Sequence, residues 1–228
     1  MKRKRDKIDV TEDIIHVKCR GSKKLMHVHQ SLLKRLVGPF DKLEVINGEF
    51  DPIANTLDLS KLAQHDSFEL VVQWLYTGEI GLVDEPNEPL FAVTMLRNAY
   101  YAVFHLITDW DDQYLTSLLN NIMDHLLDRI VNPEKYGSAM TVEMLLETTK
   151  GLCGPPIRFF SDWLARGRLT SNMRSERLVQ LVGNRFKDRL LQIFFEQKLE
   201  GNGTPPWEKD PCAYHLHFGQ SKRCQARS

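Results

Sequence analysis

Four cysteine and histidine residues late in the sequence have the types and spacing that suit metal binding. Cys212, His215, His217 and Cys224 follow the pattern Cys-x2-His-x-His-x6-Cys. Two thiolates and two imidazoles form a satisfactory tetrahedral zinc set. In an extended backbone His215 and His217 point to the same side of the chain, because alternate side chains do so. The pattern predicts a zinc site, and the alternative is a mobile tail in which these residues do not converge.

Residues 201–228, which contain this pattern, are mostly polar. A polar segment buries little apolar surface, so a bound metal would explain how it becomes ordered. The spacing differs from that of an ordinary zinc finger, so the hypothesis depends on the ligand types rather than on a known motif.

Two other groups of residues could take part in chemistry. His27 and His29 are separated only by Val28, a spacing that permits metal binding, but without a third ligand we expect packing and capping roles. Cys153 lies between Leu152 and Gly154, and a nucleophile there would need a neighbouring base. The sequence has no glycine-rich phosphate loop, no Gly-x-Ser-x-Gly elbow and no His-Glu-x-x-His pair. It therefore predicts a protein that is not an enzyme.

The overall charge gives no general attraction to nucleic acid or to membrane surfaces, because 30 basic residues balance 30 acidic ones. The first seven residues are an exception, with lysine or arginine at positions 2, 3, 4, 5 and 7. This cluster is either a nuclear-import or nucleic-acid contact, or a solvated and disordered tail. An apolar run of about 18 residues and a signal-peptide pattern are both absent. We expect a soluble protein of the nucleus or cytoplasm, without a membrane partner.

Short elements of both kinds are predicted in the first third of the chain. The β-branched run 14–19, a turn at Gly21-Ser22 and the run 24–28 favour a β-hairpin. A helix should follow at 29–36 and stop at Gly38-Pro39. Alternation over 56–59 predicts a third strand. Strands mixed with helices in this way indicate the α+β class.

A short helix is predicted from Phe68, where Val71, Val72 and Leu75 share one face with it. Gly78 can adopt the left-handed conformation that ends a helix. At the other end, Asp66 and Ser67 stand where a side-chain oxygen could cap the first turn.

The rest of the chain is predicted to be helical. Helices are expected over 90–107, from the acidic residues 109, 111 and 112 to Ile130, over 141–150 and over 175–199. Residues 151–156 should break the chain before a further helix. The inner face of that helix is predicted to consist of Ile157, Phe160, Trp163 and Leu164.

The run from Trp74 to Ile80, Trp-Leu-Tyr-Thr-Gly-Glu-Ile, resembles the BTB/POZ fold, in which a Tyr-Thr-Gly segment closes the third helix. Val28-His29, Leu33 and Pro39-Phe40 resemble the strand-to-helix opening of the same family, with Gly38 and Gln30 as departures from its pattern. The resemblance covers roughly 16–130. The chain is similar to the BTB/POZ proteins abundant in fungi, and its Pro-Cys-x-Tyr-His tail resembles theirs as well. It implies a small three-stranded sheet capped by helices and followed by a helical extension.

The resemblance implies a BTB/POZ domain at 14–131 followed by a helical extension at 132–200. Composition adds a basic disordered start at 1–13 and a polar tail at 201–228 that contains the Cys/His pattern. The resemblance implies a protein-interaction adaptor or scaffold that self-associates and, in many members, docks onto a cullin as part of a ubiquitin ligase. Family members that form a strand-exchanged dimer usually have a helix before the first strand, whereas only about a dozen residues precede Ile14 here. We therefore expect this kind of dimer less than in the family at large. The alternative function is a nuclear regulator that contacts nucleic acid through its basic start and its Cys/His tail.

Overall fold

The computed structural model describes residues 13–40, 48–82, 89–107, 113–136, 154–163, 188, 192–193, 204–210 and 212–216. The chain divides into two units, Met1–Gly81 with Ala102–Asp109, and Leu82–Tyr101 with Trp110–Ser228. The predicted boundaries at 13, 131 and 200 stay predictions.

The first unit begins with the predicted hairpin. Strand β1, Ile14–Lys18, pairs antiparallel with strand β2, Met26–His29, and Ile15 lies opposite Val28. Ile15 and Val28 are fully buried, whereas Ile14 is exposed, because successive side chains point to opposite faces of the sheet. The hairpin prediction is confirmed.

Within the described residues the sheet has four strands and not the three that were predicted. Strand β3, Glu49–Asp51, pairs antiparallel with strand β4, Thr56–Asp58, and β4 pairs parallel with β1. The resulting order is β2-β1-β4-β3. Sequence reasoning missed β3 because it is three residues long and has Phe50 as its only apolar residue, so it shows no alternation. The mixed sheet and helices agree with the predicted α+β class.

Helix α1, Gln30–Val37, follows β2 directly. Leu32, Leu33 and Leu36 are buried on one side of it, at the spacing that gathers side chains on a helix face. It ends at Gly38, which has φ of 72° and donates its N–H to the carbonyl of Lys34 at 2.8 Å. The predicted helix and its end are confirmed.

Helix α2, His65–Thr77, ends as predicted, with Gly78 in the left-handed conformation at φ 74° and ψ 11°. The predicted cap by Asp66 or Ser67 is wrong, because the N-cap is Gln64 and makes no side-chain capping bond. Backbone pairing fixes the start of the helix instead. Arg20 donates to the carbonyl of Ala63, and His65 donates to the carbonyl of Arg20, each at 2.9 Å.

The remaining described elements are helical. Helix α3 spans Pro89–Leu106, and α4 spans Gln113–Val131 before a short 3₁₀ turn at Pro133–Tyr136; α5 spans Pro155–Trp163, and α6 spans Pro206–Lys209. The predictions for α3 and α4 are confirmed. The predicted helix 141–150 lies outside the described residues, as does 175–199 except for positions 188, 192 and 193. None of the helices within the described ranges is long and apolar enough to cross a bilayer.

Helix α5 starts inside the predicted break, because proline fits the first turn of a helix, where its missing N–H is not needed. Phe160 and Trp163 are buried as predicted. Ile157 is only partly buried, and Phe159 takes the inner position with no exposed surface. Leu164, the fourth residue of the predicted face, lies outside the described residues.

Candidate functional site

Two of the four predicted zinc ligands lie in the described part of the chain. Cys212 and His215 share a turn in which the His215 N–H donates to the carbonyl of Cys212 at 3.0 Å. The N–H of Cys212 in turn donates to Oδ1 of Asp210 at 2.8 Å. His217 and Cys224 lie outside the described residues, so the zinc site stays a prediction.

The surroundings of His215 are compatible with a metal ligand. Its Nε2 lies 2.7 Å from Oδ1 of Asp124 on α4, and its side chain is 7% exposed. Histidines that bind metals commonly pair one ring nitrogen with a carboxylate, which orients the ring for the ion. Asp124 could serve that purpose behind His215. The same contact also joins the segment to α4.

The C-terminal segment, defined as residues 206–210 and 212–216, is fixed to α4 and α5 by side-chain hydrogen bonds. Tyr214 donates its hydroxyl to Oδ2 of Asp162 at 2.7 Å, and these side chains are 3% and 4% exposed. Asn120 on α4 accepts from the N–H of Leu216 at 2.8 Å and donates to its carbonyl at 3.2 Å. These bonds satisfy backbone groups that an extended tail would otherwise leave to water.

Aromatic packing adds to these hydrogen bonds. The fully buried ring of Phe159 on α5 meets Tyr214 edge-on with centroids 5.2 Å apart, and meets Trp207 at 5.9 Å. Edge-to-face pairs at this separation are favourable beyond the area that they bury. Residues 206–210 and 212–216 therefore have apolar packing that their polar composition did not predict, and the role of a metal in ordering them stays a prediction.

One further group, His65, Asp66 and Glu69 at the start of α2, has ligand atoms within 4.8 Å of one another. Among the described residues it is the only such group of three. Asp66 and Glu69 are exposed, and the positive end of the helix dipole lies at this terminus, which disfavours a cation. We assign no metal to it.

The hairpin brings together two histidines that sequence reasoning did not pair. Nδ1 of His16 on β1 lies 2.8 Å from Nδ1 of His27 on β2, and the rings meet edge-on at 86° with centroids 4.8 Å apart. The predicted hairpin contains the signal for this pair, since residues opposite each other in its register share a face. The spacing of His27 and His29 on one strand gives no indication of this cross-strand pair.

Tyr76 and His29, which carry the two halves of the family resemblance, are in direct contact. The N–H of His29 donates to the Tyr76 hydroxyl at 3.1 Å, and Nδ1 of His29 lies 2.7 Å from the same oxygen. The end of α2 is thereby tied to the junction between β2 and α1. Both motifs serve one local structure.

The turn between β3 and β4 presents an exposed apolar side chain on a fixed backbone. Ile53 is 96% exposed. Asp51 accepts through Oδ1 from the N–H of Ile53 at 2.8 Å and of Ala54 at 3.1 Å, and Asn55 donates from Nδ2 to the carbonyl of Ile14 at 2.7 Å. The turn is ordered by these bonds and not by burial of Ile53.

Cys19 does not have the properties of a nucleophile. Burial, reinforced by the negative charge of Asp58, raises the pKa of its thiol to about 12, so the reactive thiolate is rare at neutral pH. Cys153 and the basic residues 2–7 lie outside the described residues, so the interpretation of both stays a prediction.

Comparison with known proteins adds no relative. No family model, no curated protein and no solved structure matches this chain. The resemblance to the BTB/POZ fold therefore depends on the residues quoted above.

Proposed function

We propose that this chain is a protein-interaction adaptor of the BTB/POZ type, and that it acts by docking rather than by catalysis. The observation that carries the proposal is the turn between β3 and β4, where Ile53 is 96% exposed on a backbone held by Asp51 and Asn55. A fixed turn loses little conformational freedom when a partner binds, so the apolar side chain contributes more of its burial to affinity. Ile53 thus has the properties of an interface anchor.

The contact between His29 and Tyr76 supports the family part of the proposal. Both residues belong to motifs that resemble the BTB/POZ fold, and their hydrogen bonds join these motifs within one unit. If the two motifs resembled the family only by coincidence, His29 and Tyr76 would not be expected to lie in contact. A small sheet packed with helices, in which β4 is parallel to β1, also supports the resemblance, although the sheet has one strand more than the three expected.

The proposed partner is a protein with an apolar pocket that receives Ile53. The resemblance extends this proposal to a cullin, with the chain as a substrate adaptor of a ubiquitin ligase, and to self-association. We propose the nucleus or cytoplasm as the compartment in which it acts.

The decisive experiment compares two substitutions in the same turn of the full chain. Ile53→Asp removes the anchor and adds a charge, whereas Ala54→Asp adds the same charge at the exposed neighbouring position. Partners retained by each variant are quantified by mass spectrometry after affinity purification from cells. Loss of an interface anchor costs about 2 kcal/mol or more, or about thirtyfold in affinity. We expect Ile53→Asp to lose partners that Ala54→Asp retains, and equal retention would reject Ile53 as the anchor.

Direct binding assays test the two specific partners. Purified cullin is titrated against the chain, and the sedimentation of the chain alone is measured over a range of concentrations. Absence of cullin binding would leave a generic scaffold as the proposal. A pure monomer at tens of micromolar would reject self-association.

A further inference from the structure

We propose that His16 and His27 form a chelating site for a tetragonal divalent transition-metal ion, Cu²⁺ or Ni²⁺, on the solvent-facing side of the hairpin. The two residues lie directly opposite each other in the antiparallel register of β1 and β2. Their Nδ1 atoms face each other at 2.8 Å. The site is independent of the four residues of the Cys/His pattern and of the proposed adaptor function.

The two ring nitrogens are joined by a hydrogen bond, and their separation is also compatible with one chelate geometry. Two ligands at 90° on an ion, with metal–nitrogen bonds of about 2.0 Å, lie about 2.8 Å apart. A tetrahedral ion such as Zn²⁺ separates its ligands by about 3.3 Å at the same bond length. The observed 2.8 Å therefore matches adjacent positions of a tetragonal ion, which is the geometry of Cu²⁺ and Ni²⁺ with nitrogen ligands.

The sheet holds both ligands in place before the ion arrives. Ile15 and Val17, on either side of His16, are fully buried on the opposite face, as is Val28 beside His27. Since alternate side chains project to opposite faces, this burial fixes the imidazoles on the outer one. His27 is exposed and His16 is partly exposed, so water can complete the coordination of the ion.

The charges nearest in register do not oppose a cation. Lys18, two positions from His16 on β1, pairs its ammonium with Oδ2 of Asp58 at 2.7 Å, which offsets its positive charge. Thr56, opposite His16 on β4, contributes a neutral hydroxyl that donates to the carbonyl of Ala54. Metal binding requires little rearrangement of protons. The ring that donates Nδ1–H to the other moves this proton to its own Nε2 through solvent, and both Nδ1 lone pairs then bind the ion.

The test uses the full chain, stripped of metal with EDTA and titrated with CuCl₂ in the presence of glycine to suppress weak sites. Isothermal titration calorimetry gives the affinity, and electron paramagnetic resonance detects nitrogen ligands. We expect a copper site that His16→Gln and His27→Gln each weaken by about tenfold or more, because removing a ligand should cost at least as much as removing its outer-shell support. His65→Gln, which alters the other histidine-containing cluster, should leave this site unchanged.

The proposal also has a readout that needs no substitution. The paramagnetic Cu²⁺ ion broadens NMR signals of nearby nuclei, so sub-stoichiometric copper should remove the imidazole signals of His16 and His27 before those of His65. Selective broadening of both rings supports the chelate even if a variant proves to be misfolded by circular dichroism. Copper binding that both glutamine variants leave unchanged, or broadening that spares these rings, would overturn it.

Discussion

The hydrogen bond between Tyr214 and Asp162 allows a test of what keeps the C-terminal segment in place. The substitution Tyr214→Phe retains the ring that packs against Phe159 and removes only the hydroxyl, which donates to Asp162 at 2.7 Å. Both side chains are buried, so the carboxyl loses a donor that water does not readily replace. The substitution therefore removes the hydrogen bond to Asp162 and keeps the aromatic packing.

The size of the effect follows from the type of bond. A hydrogen bond to a carboxylate contributes about 1.5–3 kcal/mol, and each 1.4 kcal/mol changes an equilibrium about tenfold. We expect Tyr214→Phe to increase the population in which the segment is detached by about 10- to 100-fold. Amide hydrogens of the segment, including that of Leu216, which donates to Asn120 at 2.8 Å, should exchange faster by the same factor.

Hydrogen exchange measured by mass spectrometry on peptides covering 204–216 provides the assay. Tyr76→Phe is the matched control, because it removes a hydroxyl from the contact with His29 in the other unit. It should not change exchange in these peptides. Each variant is measured with and without EDTA. If EDTA accelerates exchange in the wild-type protein and Tyr214→Phe does not, the metal and not this packing orders the segment, and our reasoning is wrong.

Three further predictions concern the first unit. Gly78→Ala should lower the free energy of unfolding by about 1–2 kcal/mol in urea denaturation. A Cβ at this position would meet nothing within 4 Å, so the cost comes only from the left-handed backbone, with φ of +74°. An unchanged denaturation midpoint would contradict this. Iodoacetamide at pH 8 should label Cys19 far more slowly than the partly exposed Cys212, because burial raises the pKa of the Cys19 thiol to about 12. Peptide mass spectrometry measures both labelling rates, and equal rates would refute the buried thiol. Burial raises the pKa of Asp58, but hydrogen bonds from Lys18 and Ser60 outweigh it and lower the pKa to about 2. The stability that Asp58 contributes, about 1 kcal/mol after screening, is therefore present above pH 4 and is lost as the pH falls towards 2. If the free energy of unfolding of the wild-type protein exceeds that of Asp58→Asn by the same amount in acid, this prediction is wrong.

Local signals in the sequence were sufficient for the elements that depend on local physics. The hairpin follows from β-branched residues on both sides of a turn at Gly21, which has φ of 90°. The end of α2 follows from Gly78, because few other residues adopt the left-handed conformation without strain. In both cases the residue type itself determines the backbone conformation.

The elements that sequence reasoning missed depend on distant partners. Strand β3 is recognisable only through its pairing with β4 and the stacking of Phe50 on Phe40 at 4.5 Å. The start of α2 is set by backbone bonds between Arg20 and residues 63–65, more than forty positions along the chain. Periodicity within a short window contains no information about either contact.

The same limit applies to the candidate sites. Tyr214 and Asp162 are 52 positions apart, and Leu216 and Asn120 are 96 apart. The cysteines and histidines at 212–215 drew attention because metal ligands have recognisable spacings, whereas tyrosine and asparagine side chains that fix a segment do not. A charged residue such as Asp162 among the mostly apolar buried residues of α5 is a signal that could have indicated a buried partner.

Strand β3 is an edge strand of the described sheet, and its composition affects the tendency of the protein to aggregate at high concentration. Outer strands offer backbone groups to which a strand from another molecule can add, which is the first step of fibril growth. Here the strand is three residues long, and exposed carboxylates of Glu49 and Asp51 flank its single aromatic residue. An identical strand pairing with this edge would bring like charges together. The sheet is therefore protected against edge-to-edge pairing with copies of itself on that side.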